Sequence, residues 1–169
     1  MLEIKEINSI KGHESHLEAL LKDCVDSGAS VGFITPFDLQ EAKDYWAGVE
    51  AGLQSKSRKL FIAQEGDAVI GAVQLSLCHK ANGSHRGEVE KLMVHTVSRG
   101  KGVSKKLMAL MEETAKELGL LLLVLDTRFG DVASTLYSNI GYQEAGQIPD
   151  FARSSDGKLE ATVYFYKQL

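Results

Sequence analysis

Cysteine is scarce in this chain. Cys24 and Cys78 are the only two, and they lack the paired spacing of a zinc site, so neither a disulfide framework nor a structural metal is expected. His13, His16, His79, His85 and His95 show no ligand spacing either. Proline occurs only twice, and there is no repeat, low-complexity tract or Pro-rich linker, which implies one continuous domain over residues 1–169. Long hydrophobic runs are missing. The longest, Leu120 to Leu125, is far too short to cross a bilayer. The polar opening lacks the apolar stretch of a signal peptide, so the expectation is a cytoplasmic protein that does not engage membranes. An excess of positive charge is also missing. A net charge of −4 argues against nucleic-acid binding, which needs a basic surface, and is compatible with a cationic small-molecule partner.

What is present is ordinary globular composition, 44% hydrophobic and 25% charged, on a chain long enough to bury a core. Leu2 to Ile7 alternates as a strand. Leu17, Leu20, Leu21, Cys24 and Val25 share one helical face that stops near Gly28. Thr35-Pro36-Phe37-Asp38 resembles a second helix start, with Pro at the first position, continued by Leu39, Ala42, Trp46 and Val49. Lys59–Gln64 and Val69–Cys78 read as strands joined at Glu65-Gly66-Asp67. Beyond a turn at Asn82-Gly83, Gly87–Val97 reads as another strand. A long amphipathic helix follows over Gly102–Leu118, and a continuous apolar strand over Leu120–Asp126. Asp131 caps a short helix through Asn139, and strands over Tyr142–Ile148 and Leu159–Tyr166 close the chain. The order βααβββαβαββ makes an α/β fold with a central mixed sheet flanked by helices. The crossover from Gly87 to Asp126 is its parallel step.

Between that strand and the long helix lies Arg99-Gly100-Lys101-Gly102-Val103-Ser104. Two glycines let the backbone come close to a ligand. The first helical amides lack internal partners and carry the positive end of the helix dipole. Such a turn can hold a pyrophosphate on its main chain, with Arg99, Lys101 and Lys105 as cationic contacts. Neither a Walker loop nor a dinucleotide fingerprint is present. On the local string alone, a solvated basic helix start is an equal reading.

This segment resembles the pyrophosphate-binding Arg/Gln-x-x-Gly-x-Gly/Ala motif of the GNAT N-acetyltransferases, with Ser104 in the last small position. Ala133-Ser134-Thr135-Leu136-Tyr137 through Gly141-Tyr142 resembles that family's second signature. Gly130 stands where a frequent Asn would be. Strings at residues 28–33, 74–78, 88–94 and 125–127 look like the tabtoxin resistance branch, whose member acetylates and so detoxifies an antibiotic-like amine. The resemblance implies the acyl-CoA N-acyltransferase fold and acetyl-CoA as co-substrate, with no metal. It also implies transfer of acetyl to a primary amine of a small molecule, by direct attack in a ternary complex.

An amine of pKa about 10 is protonated at neutral pH, so a base must take its proton. A donor must meet the developing oxyanion, and the thiolate needs an acid. Read as residues, Glu88 and Glu90 are ordinary strand carboxylates. In a regular strand they share a face with Leu92 and Val94. The resemblance makes Glu88 the first candidate base and Glu90 the second, with Glu90 also a carboxylate that would attract the ammonium substrate. Asp126, at the end of an apolar strand, is either a loop residue or a site residue; in the family reading it is an alternative base or holds the substrate ammonium. Tyr137, which could simply pack on its helix, corresponds to the family's general acid. A bulge common in the family would free main-chain groups of Leu92, Met93 and Val94 for the acetyl and pantetheine parts. The other expected cofactor contacts are Arg99, Gly100, Lys101, Gly102, Val103, Ser104, Lys105, Thr127 and Ser134. Phe33 is a candidate substrate contact, with Phe37, Tyr45, Phe151 and Arg153 in the same category.

Cys24 and Cys78 lie outside the cradle, which disfavours a covalent enzyme intermediate. The alternatives are a non-catalytic acyl-CoA sensor, a protein N-terminal or lysine acetyltransferase, and a nucleotide-phosphate binder. The sequence leaves monomer and homodimer equally open.

Overall fold

A computed structural model describes residues 1–169. Its strands are β1 (Leu2–Ile7), β2 (Arg58–Glu65), β3 (Ala68–Leu77), β4 (Arg86–Val94), β5 (Leu122–Arg128), β6 (Gln143–Arg153) and β7 (Leu159–Gln168). Its helices are α1 (Glu14–Asp26), α2 (Leu39–Gln54), α3 (Val103–Glu117) and α4 (Ala133–Asn139). All seven strands form one sheet in the order β1-β2-β3-β4-β5-β7-β6. Every neighbouring pair is antiparallel except β4 with β5, which the right-handed crossover through α3 makes parallel. No helix is long and apolar enough to cross a membrane.

Alternation along the strands builds the two layers. In β2, Leu60 and Ile62 join α1 and α2 on one face. Phe61 and Ala63 join α3 on the other. Leu17, Leu20, Leu21, Leu107 and Met111 are completely buried, each worth about 1.5–3 kcal/mol of transfer free energy. The Trp46 indole donates to the Leu17 carbonyl at 3.0 Å and ties α2 to α1.

Several boundaries differ from the sequence expectation for local reasons. Helix α2 does not begin on Pro36. The Asp38 carboxylate accepts from the Glu41 amide at 2.9 Å and the Glu41 carboxylate accepts from the Asp38 amide at 3.2 Å, a capping box that starts the helix at Leu39. Strand β4 stops at Val94 and not at Val97. Thr96–Ser98 instead forms one 3-10 turn, held because Thr96 donates its amide and hydroxyl to Asp23. Leu120 belongs to the end of α3 and not to β5. Its amide returns to the Ala115 carbonyl around Gly119, as in a Schellman motif, so β5 starts at Leu122 and runs on to Arg128. Asp131 is not the N-cap of α4: that position is Val132, without a side-chain cap, and Asp131 just before it accepts from the Ala133 amide at 3.2 Å. Strand β6 extends to Arg153 with irregularities after Glu144 and Ile148, and all of it is exposed.

Candidate active site

β4 and β5 pair only at Arg86↔Leu122, Gly87↔Leu123 and Glu88↔Val124. Beyond these they part, and the β5-facing edge of β4 has no ladder partner. A cleft of about 1090 Å³ opens in the gap. On the opposite side of β4, pairing with β3 runs Gln74↔Glu90 and then Ala72↔Met93, so Lys91 and Leu92 stand opposite the single Val73. This is a β-bulge, with Lys91 at φ 54°. Positive φ at a residue with a side chain is strained by order 1–3 kcal/mol, a feature that clusters at functional sites. The bulge also breaks the expected parity. Leu92 and Val94 pack with Val89 on the α3 face, while Met93 packs on the α1/α2 face. The face shared by residues 88, 90, 92 and 94 in a regular strand therefore does not exist.

At one end of the cleft is the turn before α3. Gly100 and Gly102 have φ 77° and 76°, and a Cβ at either would meet open space. The amides from Gly100 to Lys105 donate to no backbone or side-chain acceptor. Open glycines, six orphaned N–H groups and a helix N-terminus form a fitting seat for the diphosphate of a coenzyme A. The freed edge at Leu92, Met93 and Val94 fits its amide-bearing arm. Thr127, on the α3 face of β5, lines the same cleft, as do Val103, Ser104 and Lys105.

Three expected cofactor contacts have further features. Arg99 lines the cleft, and its side chain donates to the Val94 carbonyl at 3.1 Å and to Ser27 Oγ at 3.1 Å, so it also braces the end of β4 against the end of α1. Lys101 contributes its amide to the turn, but it is not among the residues that line the cleft itself. Ser134 lines a separate depression beyond α4, with its hydroxyl buried and unpartnered.

The carboxylates gather on the α1/α2 face. Glu88 has no hydrogen-bonding partner. Burial, then Glu90 and Asp126, push its carboxyl above the ordinary value, and Lys91 offsets part of this. Asp126 accepts from the Thr162 hydroxyl at 2.7 Å. Glu90 is already engaged: Arg58 reaches it at 3.4 Å and also donates to the fully buried Gln74. Gln74 in turn donates to the Tyr45 hydroxyl at 2.9 Å. Tyr137 lines the cleft from α4, its ring 5.8 Å from Tyr142 and 5.9 Å from Phe165. Burial, then Asp131 and Asp126, raise its phenol, so it stays protonated.

A roof closes the acceptor side. The loop after α1 carries Phe33 into the cleft, backed by Phe37 at 4.9 Å and Tyr45 at 5.4 Å. Thr35 donates its amide and hydroxyl to the Ser155 carbonyl at 3.1 and 2.7 Å, latching this loop to the β6–β7 hairpin. Phe151 and Arg153 line the cleft from that hairpin. Sequence reasoning missed Arg128, which bridges the Gly28 carbonyl and Asp131 across the rim. It also assigned no role to Lys91. The signal was there: in Val89-Glu90-Lys91 the core-facing parity meets a lysine, as a bulge would cause. No cluster of three or more His, Cys, Asp or Glu side chains could hold a metal ion.

The model of the Acetyltransferase (GNAT) family matches residues 17–142. The chain belongs to the GNAT family. Its sheet and flanking helices are the GNAT fold, and acetyl-CoA is the co-substrate that the cleft fits. The chain is 29% identical over 97 residues to N-acetyltransferase 8B of Rattus norvegicus, covering 56% of this chain and 44% of the relative. It therefore spans less than half the length of that curated relative. Among solved structures, the ribosomal-protein-alanine N-acetyltransferase of Brucella melitensis superposes with TM-score 0.81 at 20% identity, covering 99% of both chains. A Salmonella typhimurium protein solved with acetyl-CoA superposes with TM-score 0.79 at 18% identity, over 99% of this chain and 94% of that one. At these identities the likeness of this GNAT protein to them is one of fold.

Proposed function

We propose that residues 1–169 act as one cytoplasmic acetyl-CoA-dependent N-acetyltransferase domain, moving acetyl to a primary amine of a small molecule by direct attack in a ternary complex. Bound acetyl-CoA supplies an activated thioester. The observation that carries this reading is the parting of β4 and β5 after Glu88 and Val124. It leaves main-chain donors, carboxylates and a protonated tyrosine around one cleft that ends at the Gly100–Gly102 turn.

Glu88, free of partners and raised toward neutrality, takes the proton from the substrate ammonium. Asp126, held by Thr162, draws the ammonium toward it. The open edge of β4 offers an amide to the charge that develops on the carbonyl oxygen. Tyr137 gives its proton to the departing sulfur. Holding both reactants in one cleft supplies much of the remaining acceleration.

The contact of Thr35 with Ser155 joins the loop after α1 to the β6–β7 hairpin, and a cleft roofed in this way suits a small acceptor. The strings resembling the tabtoxin resistance branch support detoxification of a toxin or antibiotic as the role. The test is CoA release over a panel of small amines and peptides. Turnover of small amines together with saturation by acetyl-CoA supports the reading. Acetyl-CoA binding without CoA release from any amine would favour a sensor.

A further inference from the structure

We propose, resting on the amine-acetylation reading, that the acceptor carries a carboxylate beside its amine and that the unpaired Lys91 ammonium in the acceptor half of the cleft reads it.

In a regular strand Lys91 would share the core-facing parity of Val89. Its left-handed backbone turns it instead toward the roof. There Lys91 Nζ lies 5.8 Å from the centre of the Tyr45 ring, and 3.2 Å from where a Cβ on Gly32 would stand. A side chain at Gly32 would press on the ammonium. Lys91 lines the cleft and takes part in no ion pair or side-chain hydrogen bond. The arginines around it are occupied: Arg58 by Gln74 and Glu90, Arg128 by Gly28 and Asp131, Arg153 by the Gly157 carbonyl.

The carboxylates show the same division. Glu90 is held by Arg58 and Asp126 accepts from Thr162, whereas Glu88 and Glu160 line the cleft without a partner. Carboxylates in excess and one free ammonium therefore face the same half-closed space, since the Thr162 hydroxyl leaves Asp126 its charge as well. A simple amine satisfies only the first and suffers repulsion from the second. A molecule bearing both an ammonium and a carboxylate satisfies both, its ammonium among the carboxylates and its carboxylate on Lys91, where burial makes pairing matter.

The test compares matched acceptors, amino acids against the corresponding amino alcohols and amides, with the full chain and saturating acetyl-CoA. Wild type is expected to favour the acids in kcat/KM by roughly tenfold, mainly through KM. Lys91→Met is expected to lose that preference and Lys91→Arg to keep it. Equal use of acids and neutral analogues by wild type, or a preference surviving in Lys91→Met, overturns the proposal. If no amine is turned over, the acetyl-transfer reading has failed and calorimetry on the CoA-loaded protein decides about Lys91. Tighter binding of N-acetyl amino acids than of their amides, lost in Lys91→Met, sustains the proposal. Equal binding, or none, overturns it.

Discussion

Glu88 is the last residue of β4 to keep its partner on β5, Val124. Two consequences follow from that one pairing. Glu88 is fixed at the floor of the gap by the ladder, so its carboxylate does not depend on a loop for its position. Every residue after it on β4 is released from β5, so the same strand that holds the base also offers free main chain. The bulge at Lys91 then re-aims the side chains, sending Leu92 toward α3 and Met93 toward α1 and α2.

Glu88→Gln is expected to lower kcat/KM by roughly 10²-fold or more without loss of acetyl-CoA binding. The pH profile carries a finer prediction. A base works only when deprotonated, and the Glu88 carboxyl is raised by burial, Glu90 and Asp126. Activity should therefore fall as pH drops through a value above the ordinary glutamate range. Asp126→Asn removes a like charge, so this acid limb should move to lower pH even as the rate itself declines. A limb that stays in place in Asp126→Asn, or persists in Glu88→Gln, rules out Glu88 as the titrating base. Linkage gives a stability counterpart. Because the folded-state value is raised, Glu88 favours the fold below its unfolded value, and this advantage is lost as pH rises through the folded value. Glu88→Gln should thus be at least as stable as wild type at neutral pH.

Tyr137→Phe should reduce kcat by roughly 10²-fold while leaving the KM for acetyl-CoA near wild type. The ring still packs on Tyr142 and Phe165, so thermal unfolding should change little. Burial keeps the phenol protonated well past neutrality, so wild type should show no basic limb from this residue in the ordinary assay range. Acyl donors with better leaving thiols need less protonation and should lose less in Tyr137→Phe. Equal losses for good and poor leaving groups would count against an acid role.

A separate prediction concerns the fold. Glu112, on α3, accepts from Lys167 at 2.6 Å and from the Tyr142 hydroxyl at 3.2 Å, with 8% of the residue exposed. Lys167→Met strands a carboxylate and should cost about 3 kcal/mol. Adding Glu112→Leu should recover much of that, since the uncompensated charge is then gone. Denaturant unfolding of the single and double variants measures both steps. A single variant as stable as wild type would show that the pair contributes nothing.

The fold was legible because its signals are local and repeated. Leu17, Leu20, Leu21, Cys24 and Val25 fall on one helical face and are buried together, and the order of elements follows from such patterns. Boundaries failed where a side chain from elsewhere decided them, as Asp23 does at Thr96. At the candidate site, Gly100 and Gly102 were readable because positive φ demands glycine. The bracing contacts of Arg99 were not, because its partners Val94 and Ser27 lie on elements the string cannot bring together. Glu88 and Glu90 look alike in sequence. Only the contact with Arg58 separates the free carboxylate from the engaged one.

The cradle itself can be tested without chemistry. At Gly102, φ is 76° and a Cβ would meet no protein atom, so Gly102→Ala introduces no clash within the fold. What it changes is backbone preference, costing about 1–2 kcal/mol in the left-handed region, together with the space in front of the orphaned amides. Affinity for CoA should drop by roughly tenfold, equivalent to about 1.4 kcal/mol. S-acetyl-pantetheine lacks the diphosphate and should bind wild type and Gly102→Ala alike, because it reaches only the β4 edge. Calorimetry with both ligands separates the two ends of the cleft. An equal loss for both ligands would mean that the substitution disturbs the fold generally, whereas unchanged CoA affinity would remove the diphosphate from this turn.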